Sequence, residues 1–248
     1  HTRSCILSRG LGDLYKRQIA NHTNDQIEAF LMDRLHATGW ADIYPILVGV
    51  WDADVTCSPS VQLSVPHISQ GPPTVQGVFE QMVMGDAATF VGAVKSTLPE
   101  RLQDLLVTQA LAIATVLQHL GYYGRCSFDA VICRRDDDPN SIHWIECNGR
   151  WSGVSIPLAV LNSIAPGGMP DGLMIIQERF DGSPIDTSQT VNALRHILYA
   201  GGQPAKGVVL LSPPNGVTAS ANLLIFAGSQ PGAVRIGGTA LHLLKAIH

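Results

Sequence analysis

The chain has 248 residues, is 46% hydrophobic and 15% charged, and carries a formal net charge of −4. Its length allows one large domain or two small ones around a buried core, and a mildly acidic chain without a Lys/Arg stripe argues against nucleic-acid binding. No apolar run reaches the about 18 residues of a membrane span, and five scattered cysteines without a CxxC pair indicate neither a disulfide framework nor a zinc site and fit a reducing cytoplasm.

Residues 1–18 show no amphipathic period, and Cys5–Gln18 resembles translated adapter read-through from assembled environmental sequence. They are set aside as a non-native or disordered leader. The rival reading takes Arg9-Gly10-Leu11-Gly12 and Lys16 as a glycine-rich phosphate loop. Thr23-Asn24-Asp25-Gln26 predicts a helix start with a capping box. Ile27, Phe30, Leu31 and Leu35 follow at helical spacing, and Gly39 ends the helix. Tyr44–Trp51 reads as a buried strand, Asp52–Asp54 as a turn, and Val55–Val65 as a strand interrupted by Pro59. Gln70–Thr74 is a loop and Val75–Met84 a third strand.

Pro99–Leu120 is the clearest helix, with Leu102, Leu105, Leu106, Ile113, Val116, Leu117 and Leu120 as one buried stripe and Gly121 as its C′ residue. Strands Arg125–Cys133 and Ile142–Asn148 flank a polar turn, Arg134–Ser141. Ser155–Ile164 reads as a helix and 166–171 as a Gly/Pro-rich break. The remainder predicts strand Leu173–Arg179, helix Thr187–Tyr199, strand Gly207–Leu211, strand Asn222–Ala227 and helix Gly237–Ile247.

Chemistry concentrates in 121–157. In Trp144-Ile145-Glu146-Cys147-Asn148 alternation puts Glu146 and Asn148 on one face, with Ile145 and Cys147 turned towards a core. A turn centred between Asp137 and Asp138 sets Asp129 opposite Glu146, and Ser127 opposite Asn148. Opposed Cβ atoms lie about 4.5–5.5 Å apart, so two carboxylates would repel there. A cation resolves the conflict, and an all-oxygen set of Asp129, Glu146 and Asn148 suits Mg2+ or Mn2+. The bland reading is a half-exposed carboxylate pair on a solvated sheet face. Arg150 could reach a phosphate with its fork of donors. The acids Asp136–Asp138 read as a solvated turn. Ser152, Gly153 and Ser155 could line an acceptor pocket or form a plain loop; Ser60, Gln62 and Glu80 could meet substrate or nucleotide. His67 and His143 read as structural, and Trp51, Trp144 and Trp151 as packing residues. No nucleophile elbow stands out.

The stretch GYYGRCSFDAVICRRDDDPNSIHWIECNGRWSG resembles the ATP-grasp signature: Gly-Tyr-x-Gly, a strand Asp, then Glu-x-Asn-x-Arg and a small-residue loop. VTCSPSVQL and VQGVFEQ resemble, more particularly, peptide ligases of the pheganomycin-biosynthesis type. The resemblance covers about 23–164. It implies Asp129, Glu146 and Asn148 as Mg2+ ligands, Arg150 against the transferring phosphate, and a hinge strand whose Leu47, Val48, Gly49 and Trp51 meet adenine. It also implies ATP as cosubstrate, an acyl-phosphate intermediate, and carboxylate and amine substrates that are small molecules or peptides. The fold implied is α+β, an ATP-grasp antiparallel sheet with packed helices in 19–165, followed by a smaller α/β C-terminal domain in 166–248. Two positions depart from the pattern: Gly49 stands where a hinge Glu is usual, and the phosphate-binding lysine and its Gly-rich loop belong where residues 1–18 stand. The resemblance therefore implies an ATP-grasp domain lacking its N-terminal part.

Overall fold

A computed structural model describes residues 4–9, 13–18, 23–37, 52, 54–84, 89–134, 140–165, 167–180, 186–201, 206–212 and 220–247. The chain divides into two compact units, one of residues 1–55 and 84–89, the other of 56–83 and 90–248. In the first, β1 (Ser4–Arg9) and β2 (Asp13–Gln18), both within the segment set aside in the sequence reading, pair antiparallel. Helix α1 spans Asn24–Ala37. Its predicted capping box is present: Thr23 N donates to Gln26 Oε1 at 2.9 Å, and Gln26 N to Thr23 Oγ1 at 3.3 Å. The expected helix end at Gly39 and strand Tyr44–Trp51 lie outside the described residues.

Among the described residues, the second unit is built on a nine-stranded sheet. Its strands are β3 (Val55–Cys57), β4 (Pro59–Val65), β5 (Thr74–Met84), β6 (Thr89–Lys95), β7 (Gly124–Cys133), β8 (Ser141–Asn148), β9 (Gly172–Arg179), β10 (Gly207–Ser212) and β11 (Ser220–Ala227). They run in the order β10-β11-β9-β6-β5-β4-β7, with β3 and β8 both paired to β7. The break between β3 and β4 falls beside Pro59, as its missing N–H predicts. A strand the sequence reading omitted, β6, carries Gly92 at its centre. A Cβ there would meet the Ile175 carbonyl oxygen at 2.2 Å, so glycine is what lets β6 lie against β9.

Helices cover both faces. Helix α2 (Glu100–His119) packs on Val61, Leu63, Cys126 and Phe128. Helix α3 (Ser155–Ile164) packs on Phe79, Ala93 and Ile175. Helices α4 (Thr187–Leu194) and α5 (Gln230–Lys245) pack with Ile176, Leu223 and Ile225. Neighbours Val78 and Phe79 of β5 point into different clusters, as do Ile175 and Ile176 of β9, so α2 and α5 share one face and α3 takes the other.

The buried row of α2 is Leu102, Leu106, Ala110, Ala114 and Gln118, an i, i+4 series that includes two alanines. This corrects the predicted stripe: Leu105, Val116 and Leu120 are exposed, because alanines let the helix lie close to the sheet on a narrow face. Gly121, at φ 96°, closes the helix as expected. Tyr122 N donates to Leu117 O and Gly121 N to Gln118 O, the paired bonds of a Schellman end. Helix α4 stops short of the predicted Tyr199 because Tyr199 N donates to Val208 O and Val208 N to Ile197 O, drawing that segment against β10. Helix α5 starts well before Gly237, behind Ser229, whose Oγ accepts Gly232 N, with a proline in the first turn. Among the described residues no helix is long and apolar enough to cross a membrane.

Candidate active site on the α3 face of the sheet

Strand register gathers the site. Ser60 lies opposite Asp129 and Gln62 opposite Ser127 across β4 and β7. Across β7 and β8, Ser127 lies opposite Asn148 and Asp129 opposite Glu146, the pairing expected from sequence. Opposed residues share a face, so Ser60, Gln62, Ser127, Asp129, Glu146 and Asn148 all project to the α3 side. The intervening Val61, Cys126 and Phe128 anchor the strands beneath α2.

The hairpin is not regular. Beyond Asp129 the pairing shifts to Ala130↔Trp144, leaving Ile145 as an extra residue. This corrects the expected inward placement of Ile145 and Cys147. Both are exposed, Ile145 at 60%, because the bulge turns the β8 edge outward. Trp144 does pack, donating its Nε1–H to Gln109 Oε1 at 2.8 Å and meeting Phe128 edge-on.

Asp129 is held at both oxygens. Ser60 Oγ donates to Oδ1 at 2.6 Å and Asn148 Nδ2 to Oδ2 at 3.2 Å. Burial raises its carboxyl above the ordinary range; hydrogen bonds from Ser60 and Gln81 oppose the rise, the Glu146 charge adds to it, and the Arg150 charge opposes it. Glu146 is exposed beside it. With its Nδ2 turned to Asp129, Asn148 keeps its carbonyl oxygen as a ligand atom. Two carboxylates and a carboxamide oxygen on one sheet face form a donor set that fits a hard divalent cation.

The other predicted residues are placed as follows. Arg150 is exposed, two residues past Asn148, with Nη1 at 3.5 Å from the Trp151 carbonyl oxygen. Ser152 and Ser155 bond each other: Ser152 N donates to Ser155 Oγ at 2.6 Å and Ser155 N to Ser152 Oγ at 3.1 Å. Ser155 is buried, so it shapes the turn into α3 and does not face open solvent. Gly153 passes close to Phe90 and Gln177; a Cβ would meet them at 3.1 and 3.2 Å. Glu80 is not with this group. Its Oε1 accepts Thr97 N at 2.6 Å and Ser96 Oγ at 3.1 Å, bracing the turn before α2, and alternation from Phe79 puts it on the α2 side. Leu47, Val48, Gly49, Trp51 and Asp136–Asp138 lie outside the described residues. Trp151, read as a packing residue, is half exposed, with the Arg125 guanidinium 5.4 Å from its ring centroid.

Three residues gain roles that sequence reading missed. Gln81 hydrogen-bonds Asp129 from β5. Ser60 and Gln62, read as substrate-facing, are each only 1% exposed and sit behind Asp129. The available signal was a polar pair alternating with Val61 and Leu63 in an otherwise buried strand.

No protein-family model matches the sequence, and no curated protein sequence matches it. Solved structures do match. N5-carboxyaminoimidazole synthase from Aspergillus clavatus, in complex with ADP and 5-aminoimidazole ribonucleotide, is 14% identical with a TM-score of 0.61, over 98% of this chain and 62% of that one. Biotin carboxylase from Campylobacter jejuni, in a βγ-ATP complex, is 12% identical with a TM-score of 0.67, over 96% and 57%. The biotin carboxylase domain of Hydrogenobacter thermophilus 2-oxoglutarate carboxylase, with MgADP, ADP and bicarbonate, is 13% identical with a TM-score of 0.67, over 98% and 57%. At such identities the likeness shows the fold, which is the ATP-grasp fold of an antiparallel sheet with packed helices. The chain spans 57–62% of the length of these three structures.

Proposed function

We propose that the chain carries the phosphate- and cation-binding part of an ATP-dependent ligase that joins a carboxylate to an amine. The observation that carries this reading is the placement of Asp129, Glu146 and Asn148 on one face of β7 and β8, with Arg150 just beyond. The ATP, ADP and MgADP held by the structural neighbours support ATP and Mg2+, or Mn2+, as cofactors. When bound, the cation supplies positive charge against the nucleotide phosphates. Asp129, Glu146 and Asn148 would hold it, and Arg150 would meet the transferring phosphoryl group with its guanidinium.

The proposed reaction has two balanced steps. A substrate carboxylate oxygen attacks the γ-phosphorus of ATP, and the bond to the β-bridging oxygen breaks to release ADP. The amine nitrogen then attacks the acyl carbon of the acyl phosphate, phosphate leaves, and the nitrogen loses its proton. The protein contributes positioning and charge neutralisation and no covalent nucleophile. The resemblance of β4 and β5 to peptide ligases makes amino acids or peptides the substrates to test first.

A second reading is favoured by the neighbours themselves, two of which are biotin carboxylases, one with bicarbonate bound. There the activated carboxylate would be bicarbonate and the product a carboxylated amine. The protein is incubated with ATP, Mg2+ and either amino acids or bicarbonate, and products are resolved by mass spectrometry. ADP with an amide supports peptide ligation; ADP with a carboxylated amine selects the second reading. Magnesium-dependent ATP binding without turnover would leave a nucleotide-binding module, and ATP binding indifferent to Asp129→Ala and Glu146→Ala would reject the site.

A further inference from the structure

We propose that Gln62 is a positioning residue, fixing the Asp129 carboxylate through Ser60 and tying it to the turn that leads into α3. The proposal rests on the reading of Asp129 as a cation ligand.

Both ends of the buried Gln62 carboxamide are engaged. Nε2 donates to Ser60 Oγ at 2.8 Å, and Oε1 accepts from Ser152 Oγ at 3.0 Å. The direction of each bond follows from its neighbours. Ser152 Oγ accepts the backbone N–H groups of Val154 and Ser155, at 3.3 and 3.1 Å. Those groups can only donate, so the hydroxyl proton of Ser152 points away from them; it has Gln62 Oε1 at 3.0 Å and Ser155 Oγ at 3.2 Å within reach, and the shorter contact is the one to Gln62. With its oxygen turned that way, Gln62 presents Nε2–H to Ser60. The Ser60 proton then lies along the 2.6 Å contact to Asp129 Oδ1. An ionised carboxylate only accepts, so the chain has one polarity from end to end, from backbone N–H through Ser152, Gln62 and Ser60 to Asp129. Bonds aligned in this way polarise one another.

The consequence is mechanical. Asp129 Oδ1 is pinned from β4 and Oδ2 from β8 by Asn148, so the carboxylate plane is set before any cation arrives. Ser152 stands two residues beyond Arg150, and the same chain of bonds ties that segment to Asp129. Side chains behind a ligand commonly set its affinity in this way.

Two measurements test this. In metal-free protein, a double-mutant cycle in denaturant joins Ser60→Ala and Ser152→Ala, whose hydroxyls communicate through Gln62. The unfolding constant of the double variant should depart from the product of the single effects by about threefold or more. Strict additivity overturns the relay. The second measurement is Mn2+ affinity by titration calorimetry. Gln62→Glu, which replaces the Nε2 donor with an acceptor, and Ser60→Ala should each weaken Mn2+ by about tenfold, while Ser60→Thr, which keeps the hydroxyl, restores most of it. Wild-type affinity in both Gln62→Glu and Ser60→Ala overturns the positioning role. Should the native protein bind no Mn2+, the cation site fails, and the unfolding cycle still decides the relay.

Discussion

Asp129 and Glu146 stand directly opposite each other on β7 and β8, although the hairpin that carries them changes register at the next pair. The bulge at Ile145 absorbs the change. Outside it, Ala130 pairs with Trp144 and Trp144 packs under α2; inside it, both carboxylates turn to the other face. One extra residue thus lets a single strand serve the core at one end and the charged site at the other. Opposed carboxylates repel, so this geometry is a standing cost to the fold that a cation would relieve.

That cost predicts the first outcome. Asp129→Ala and Glu146→Gln should each weaken Mn2+ binding by about 100-fold, as loss of a charged ligand does when the rest of the shell is intact. Both variants should fold, and Mn2+ should raise the melting temperature of the wild type more than theirs. Equal Mn2+ stabilisation in all three proteins would remove both carboxylates from the site.

The second outcome concerns pH without metal. Burial, with Glu146 beside it, lifts the Asp129 carboxyl above its ordinary 3.8. Between 3.8 and the raised value the folded state holds more protons than the unfolded chain, so stability falls as pH rises through that window. Urea midpoints measured upward from pH 3.8 should decline less in Asp129→Asn than in the wild type. A steeper decline in the variant would contradict the assigned environment.

The site was legible where local rules decide it. Alternation and hairpin symmetry sufficed to oppose Asp129 and Glu146. The exposure of Ile145 and Cys147 was not legible, because a bulge depends on how the whole hairpin sits on α2. Strand β6 escaped notice; the reason for Gly92 at its centre is the Ile175 carbonyl on a strand more than eighty residues away. Likewise Gln62 reads as a substrate-facing residue until Ser152, distant in sequence, is seen to engage it. Capping at Thr23 and termination at Gly121 came through intact, being set within a few residues.

Cysteine chemistry provides a third outcome. Burial, and then the nearby Cys147, pushes the Cys126 thiol up to about 12; burial, and then Glu80, pushes Cys57 up to about 11. Alkylation needs the thiolate. At about pH 8, iodoacetamide should modify exposed Cys147 in the folded protein and reach Cys57 and Cys126 only after denaturation, as read by peptide mass spectrometry. The Cys147 thiol is itself raised, by partial burial and then by Asp129 and Glu146. A divalent cation between those carboxylates would cancel their contribution, so Mn2+ should speed Cys147 labelling. Rapid labelling of Cys126 in native buffer would show that the α2 face is open.

The last outcome separates two adjacent leucines. Sequence periodicity assigned both Leu105 and Leu106 to the buried face of α2, whereas Leu106 is fully buried and Leu105 is 45% exposed. Leu106 packs with Val61, Ala110 and Phe128, the residues that back the strands carrying Ser60 and Asp129. Leu106→Ala should therefore cost about 2–5 kcal/mol, and Leu105→Ala well under about 1 kcal/mol. The loss in Leu106→Ala should also weaken Mn2+ binding, since the strands that oppose Asp129 and Ser60 lose their backing. Comparable destabilisation by both variants would mean that α2 lies rotated on the sheet, and with it the face on which the carboxylates are placed.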